Sequence, residues 1–361
     1  MNKVIRFLKD WTLPCAIATG STAYLTFYWV PQLDALGNSL GPVFDVIFPV
    51  FVFLTLLVTF CKIDFHQLRP HRWHVGILVA QLLLVALNVA IIFWVEADRE
   101  QKLICEALLT CIIGPAASAA PVVVGKLGGN ISTMTTYVLL SSVVSSLLIP
   151  LVFPMLEQTV HVEFLTAFLV ILNKVAMVLL LPLVLGWIVQ HHLPRLQQRI
   201  ASMPNLSFYC WAMSLSITSG ITVKNIVHSH AAIALLLWIA VTTLLLCFVQ
   251  FVIGRGVGRW LGGGPQTVTS AQTATSSPAA TSAQPTMLSQ PTVPSQPDTP
   301  AGIEVNAGQA LFQKNTALSI WVAYMYLNPV ASVGAGCYVL WQNIINSIEL
   351  WMYRKKQRAD Q

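Results

Sequence analysis

Gly114-Pro115-Ala116-Ala117-Ser118-Ala119-Ala120-Pro121 interrupts an uncharged, apolar run that extends from Ala107 to Gly125. Proline has no amide donor and its ring clashes with the carbonyl one turn back, so Pro115 and Pro121 should break a helix here. A broken backbone frees polar groups that lipid cannot satisfy, and it is tolerated only against protein or water. Ser118 lies between the prolines with Ala and Gly around it, leaving room for another backbone to approach. Nearer the C-terminus a second interruption, Gln313-Lys314-Asn315-Thr316, opens a stretch with no further charge until Glu349. A Lys at the bilayer centre costs about 2.5–3.5 kcal/mol, so Lys314 is expected to face a partner or an aqueous cavity.

The composition around these breaks belongs in a membrane. Of 361 residues, 9% are charged and 55% hydrophobic, against about 25% charged in a soluble domain. Crossing about 30 Å of hydrocarbon takes roughly 20 apolar residues. Uncharged runs such as Trp11–Leu33, Val75–Val95, Leu127–Leu156 and Ala231–Gly254 meet that length. The reading is ten helices near 12–31, 42–62, 74–95, 104–125, 131–154, 164–190, 205–223, 231–254, 306–325 and 330–353. Loops on the N-terminal side hold 15 Lys and Arg, those on the other side 3. The positive-inside rule then places both termini in the cytoplasm of an inner (plasma) membrane protein. No small-residue cleavage site follows the first run, so a retained helix is expected.

Ten helices divide into two sets of five, and an odd number per set requires opposite orientations. The breaks then fall in the fourth helix of each set, helices 4 and 9, about 11 and 8 residues from a helix end and so near the midplane. Paired interruptions in inverted halves point to the binding site of a secondary transporter. The expected organisation is a cytoplasmic N-terminus (1–10), a first repeat (11–156), a second repeat (157–259 and 305–353), an insert (260–304) and a basic C-terminus (354–361). From Pro265 to Pro300, 26 of 36 residues are Ser, Thr, Pro or Gln, a composition that cannot bury a core. The seven cysteines form no CxxC pair, which argues against metal ligation and disulfides. Most histidines lie near span ends (His66, His71, His74, His191, His192, His228, His230) and read as interfacial, leaving an enzyme, a resident cofactor and nucleic-acid binding without support. Lys174, mid-span, should snorkel or bond a carbonyl, and Gln81 and Asn88 share one helix face.

Several motifs resemble the bile acid:sodium symporter family. They are Lys314-Asn315-Thr316-Ala317-Leu318-Ser319, Asn328-Pro329-Val330-Ala331 and Val339-Leu340-Trp341-Gln342-Asn343-Ile344, with Pro115 to Pro121 followed by Gly129-Asn130, Ala80-Gln81, and Pro182-Leu183-Val184-Leu185-Gly186. The resemblance implies a panel domain and a core domain, with helices 4 and 9 crossing at the site. It also implies alternating-access transport of a small organic anion: a bile acid, steroid sulfate, or keto or pantoate-like acid. Substrate positions fall on Pro115, Ser118, Pro121, Lys314, Asn315, Thr316, Gln342 and Asn343; ion-coupling positions fall on Gln81, Gln313, Lys314 and Thr135. Beyond substrate and lipid bilayer, no obligate protein partner is evident. Where the family carries sodium-coordinating side chains, this chain has Ala120-Pro121, Met134, Val138 and Ala310 (Gln309 with the register one off). A conventional sodium site is therefore not expected, and Lys314 is expected to act as a built-in cation; proton coupling, sodium-independent exchange and uniport stay open. The rival readings are an auxin-carrier-like or arsenite-permease-like exporter and a non-transporting receptor. Cys105 and Cys111, expected in the outer half of helix 4 away from the break, argue against arsenite.

Overall fold

The computed structural model describes residues 12–62, 68–95, 97–156, 164–203, 206–228, 232–262 and 299–359. The expected N-terminal segment 1–10, most of the insert 260–304, and His66 and His230 lie outside the described residues. The described chain is helical: α1 Thr12–Trp29, α2 Asp34–Cys61, α3 Arg72–Trp94, α4 Arg99–Ile113, α5 Ala120–Lys126, α6 Ile131–Leu156, α7 Phe164–His192, α8 Pro194–Ala201, α9 Leu206–His228, α10 Ile233–Gly262, α11 Pro300–Phe312, α12 Thr316–Tyr326 and α13 Ala331–Ala359. Each expected helix coincides with one of these, or with a broken pair: α4 with α5, and α11 with α12. By length and composition alone, α3, α6, α7 and α10 are apolar and long enough to cross a membrane.

Local chemistry sets the helix starts. The Asp98 carboxylate accepts from the amides of Glu100 (3.0 Å) and Gln101 (3.1 Å), which begins α4. Thr299 accepts from the Gly302 amide at 3.0 Å with Pro300 in the first turn, so α11 begins six residues before the expected 306. Pro194 likewise opens α8, a short surface helix with no buried residue, which the apolar runs did not disclose. Pro150, Pro154 and Pro182 sit inside α6 and α7 without ending them.

Two packing groups emerge. In one, α1 lies against α9 and α2 against both α7 and α9. In the other, α3, α4, α10, α11, α12 and α13 contact one another, and α5–α6 joins them to α7. The pair α10–α11 is drawn close by Gly254, Gly258 and Gly262; a Cβ on Gly254 would fall 2.6 Å from the Ala307 carbonyl oxygen. A charged bridge holds the same pair, with Arg255 3.1 Å and Arg259 2.9 Å from Glu304. One histidine read as interfacial, at the start of α3, is packed inside the protein. His74 is fully buried against Trp73 and Tyr137, its Nε2 3.0 Å from the Thr133 carbonyl and its Nδ1 accepting from the His71 amide at 3.0 Å. Tertiary packing claims it because both ring nitrogens find partners inside.

Candidate functional site

The two breaks meet. Ala116 and Lys314 form an antiparallel bridge, in which the Ala117 amide donates to the Gln313 carbonyl at 2.8 Å and the Asn315 amide to the Pro115 carbonyl at 2.9 Å. Two further donors nearby are met as well. The Ala116 amide donates to Ser141 Oγ at 3.1 Å, and the Lys314 amide to Gln342 Oε1 at 3.1 Å. Each break thus satisfies the backbone groups that the other leaves orphaned, as irregular chain inside a membrane must.

The carbonyl ends of the half-helices are covered by side chains. Gln81 Nε2, from α3, spans the last three carbonyls of the α4 end: Ile112 at 3.1 Å, Ile113 at 3.3 Å and Gly114 at 3.2 Å. Ser145 Oγ adds a bond to Ile113 at 2.8 Å. Lys314, 1% exposed, extends its Nζ to the same Gly114 carbonyl at 3.2 Å. An ammonium at a helix C-terminus lies at the negative end of the macrodipole. Tyr338 OH caps the end of α11 through the Phe312 carbonyl at 2.7 Å. Among the described residues no carboxylate pairs with Lys314 within salt-bridge distance.

Of the residues implied as site positions, Pro115, Lys314, Asn315, Gln342, Gln81 and Gln313 converge on the crossing. Asn315 caps α12, its Oδ1 accepting from the Leu318 amide at 3.2 Å. Thr316 is buried at the start of α12, and Ser118 is half-buried in the turn before α5. Three positions behave otherwise. Pro121 does not break a helix but sits in the first turn of α5, where its missing donor costs nothing. Asn343 is half-buried and bonds the Val339 carbonyl of its own helix at 2.6 Å. Thr135 is buried on α6 outside the hydrogen bonds that join the breaks. Lys174 is exposed on α7. Cys111, expected away from the break, packs instead with Phe312 and Tyr338 beside it, because α4 runs straight into the crossing.

Of the positions expected to lack sodium-coordinating groups, Ala120, Pro121, Met134, Val138 and Ala310 are buried and apolar, and the alternative to Ala310, Gln309, is buried with its Nε2 donating to Asn346 and Glu349, so the set brings at most one side-chain oxygen. These residues do not fit a sodium cage, and no metal ligand is assigned. Sequence reasoning missed Ser141 and Ser145, although the serines 141, 142, 145 and 146 recur at helical spacing through an apolar span. It also missed Asn346 and Glu349 as partners of Gln309, to which they are joined by hydrogen bonds between α11 and α13. A groove between α6 and α7, lined by Leu139, Leu140, Val143, Leu183, Val184 and Trp187, is wholly apolar, and none of its residues belongs to the crossing.

The model of the SBF-like CPA transporter family matches residues 43–303. None of the curated proteins compared with the chain matches it.

Proposed function

Because the chain belongs to the SBF-like CPA transporter family, and that family's transporters act on small molecules from within a membrane, we propose that it moves a small organic anion by alternating access around the crossing of α4–α5 and α11–α12. The observation that carries this reading is the mutual pairing of the two breaks, Ala117 to Gln313 and Pro115 to Asn315. Two interrupted helices that satisfy each other put irregular backbone, oriented half-helix ends and a buried lysine Nζ with no carboxylate partner among the described residues at one point inside the molecule. Transporters of inverted-repeat design build their sites from such parts.

The packing supports an inverted repeat of two five-helix halves. The first helix of the first half packs on the second helix of the other half (α1 on α9), and the reverse pairing also occurs (α2 on α7). In the same way α4 meets α10, and α11 meets α3. The α1, α2, α7, α9 group would serve as the panel and the remainder as the core that rocks against it. Lys314 supplies the cation at the end of α4, so substrate movement needs no sodium. The protein would reside in an inner (plasma) membrane with both termini in the cytoplasm.

Counterflow in proteoliposomes tests this. Vesicles preloaded with unlabelled steroid sulfate, bile acid or keto acid should accumulate the labelled form of at least one of them in choline buffer, and Asn315→Ala should cut the rate at least tenfold. Equilibration no faster than in empty liposomes across all three classes would overturn the organic-anion reading.

A further inference from the structure

We infer that a polar seam between α11 and α13 carries protons between the cytoplasm and Lys314, with Glu349 as the group that receives them at its outer end. The inference rests on the transport reading for its purpose, since it names the coupling ion of that site.

The seam is read from one face of α13. Tyr338, Gln342, Asn346 and Glu349 follow at helical spacings of four, four and three, so they stack on one side. Each meets the broken helix opposite. Tyr338 donates to the Phe312 carbonyl at 2.7 Å; Gln342 accepts from the Lys314 amide at 3.1 Å; Asn346 and Glu349 accept from Gln309 Nε2 at 3.0 Å and 2.6 Å. Exposure falls steadily inward. The Arg259 side chain is 70% exposed, Arg255 24% and Glu349 12%, while Gln309 and Lys314 are 0% and 1% exposed. From Glu349 to the level of Gln342 is about 10 Å at ~1.5 Å per residue.

Two features of this seam suit proton movement. Gln309 Oε1 and Gln313 Oε1 are buried acceptors without a donor. Buried amide oxygens are ordinarily paired with protein or with water, and a row of polar groups ending at a partly buried ion pair suits bridging water. The second feature is how Glu349 is held. Arg255 takes Oε1, and Gln309 donates to Oε2. Protonating Oε2 turns it from acceptor into donor, and a half-turn of the Gln309 amide then presents the oxygen that now lacks a partner.

The step balances without any other reactant. A cytoplasmic proton binds Glu349 Oε2, passes along the seam over water bridging its polar groups, and ends on the Lys314 amine, which becomes ammonium; the carboxylate is restored, and no carbon bond changes. The ionisable groups around the two ends are few. Lys314 lies near Cys111 of α4, which packs in turn with Cys247 of α10 and Tyr338 of α13, and it shares the Gly114 carbonyl with Gln81 of α3, behind which stands Tyr137 of α6. Glu349 faces Arg255 of α10, which also holds Glu304 of α11, itself bound by Arg259.

The test needs protons alone. Proteoliposomes of the full chain on a solid-supported membrane are given a pH step, and the charge displacement is recorded. The native protein should give a transient current that Lys314→Met abolishes and that Glu349→Gln slows at least tenfold, with Glu349→Asp restoring most of the rate. If Glu349→Gln fails to fold because Arg255 loses its partner, Gln309→Leu decides, since it keeps every charge; it too should slow the transient. A current indifferent to Lys314→Met, or one at native speed in Gln309→Leu and in any folded Glu349→Gln, overturns the seam. A Lys314-dependent current without anion counterflow would sink the transport reading and leave the seam standing. Counterflow without such a current would do the reverse.

Discussion

At the scale of single residues, Lys314 is where this chain departs most from what a membrane tolerates. Its ammonium reaches the carbonyl end of α4, where Gln81 already gathers three oxygens. Two expectations follow. The melting temperature of the purified protein should be the same in sodium and in choline chloride, because a ligand stabilises only what it binds; a rise of several degrees in sodium would contradict the role given to Lys314. Gln81→Leu should destabilise by about 1–3 kcal/mol, the usual cost of stranding buried partners, and a thermal melt reads it. Placing a carboxylate at position 310 would not be a clean test of the ion site. Ala310 is packed among Ala116, Met134, Tyr137 and Leu311, and a longer side chain there would force them apart.

At the scale of elements, the crossing depends on backbone more than on side-chain identity. Ala117→Pro removes the donor to Gln313 and should lower stability by about 1–3 kcal/mol, whereas Arg99→Pro, at the exposed first position of α4 after an extended Asp98, should cost far less. The α10–α11 contact offers a matched pair. Gly254→Ala sets a methyl 2.6 Å from a backbone oxygen and should be destabilising, by about 1–3 kcal/mol for an overpacked site. Gly256 has nothing within 4 Å of its missing Cβ, so Gly256→Ala should be neutral or slightly stabilising, by roughly 0.5–1 kcal/mol. Equal melting shifts in the two variants would mean that close approach does not hold these helices together.

At the scale of the whole molecule, the insert interrupts the chain at a place the fold has already closed. A Cβ on Gly262 would stand 3.5 Å from the Pro300 carbonyl oxygen, so the two ends that 263–298 connects lie side by side. Replacing those residues with a short Gly/Ser linker should leave the melting temperature within a degree or two and preserve counterflow. Loss of folding would assign the insert a structural part that the α10–α11 contacts do not require.

The sequence by itself determined the membrane class, the helices and both breaks, because charge scarcity, apolar run length and proline act locally and leave a direct trace in residue order. The same local logic misjudged Pro121, whose missing donor is harmless in a first helical turn, and could not see α8, which carries no apolar run. Only the tertiary structure decided that the breaks pair, since the hydrogen bonds joining Pro115 to Asn315 and Ala117 to Gln313 cross some 200 positions of chain. It also decided that Gln81 and Ser145 cover α4, that His74 is buried, and that Gln309 joins Asn346 and Glu349. Those outcomes depend on which polar atoms packing brings within bonding distance, and residue order does not encode that distance.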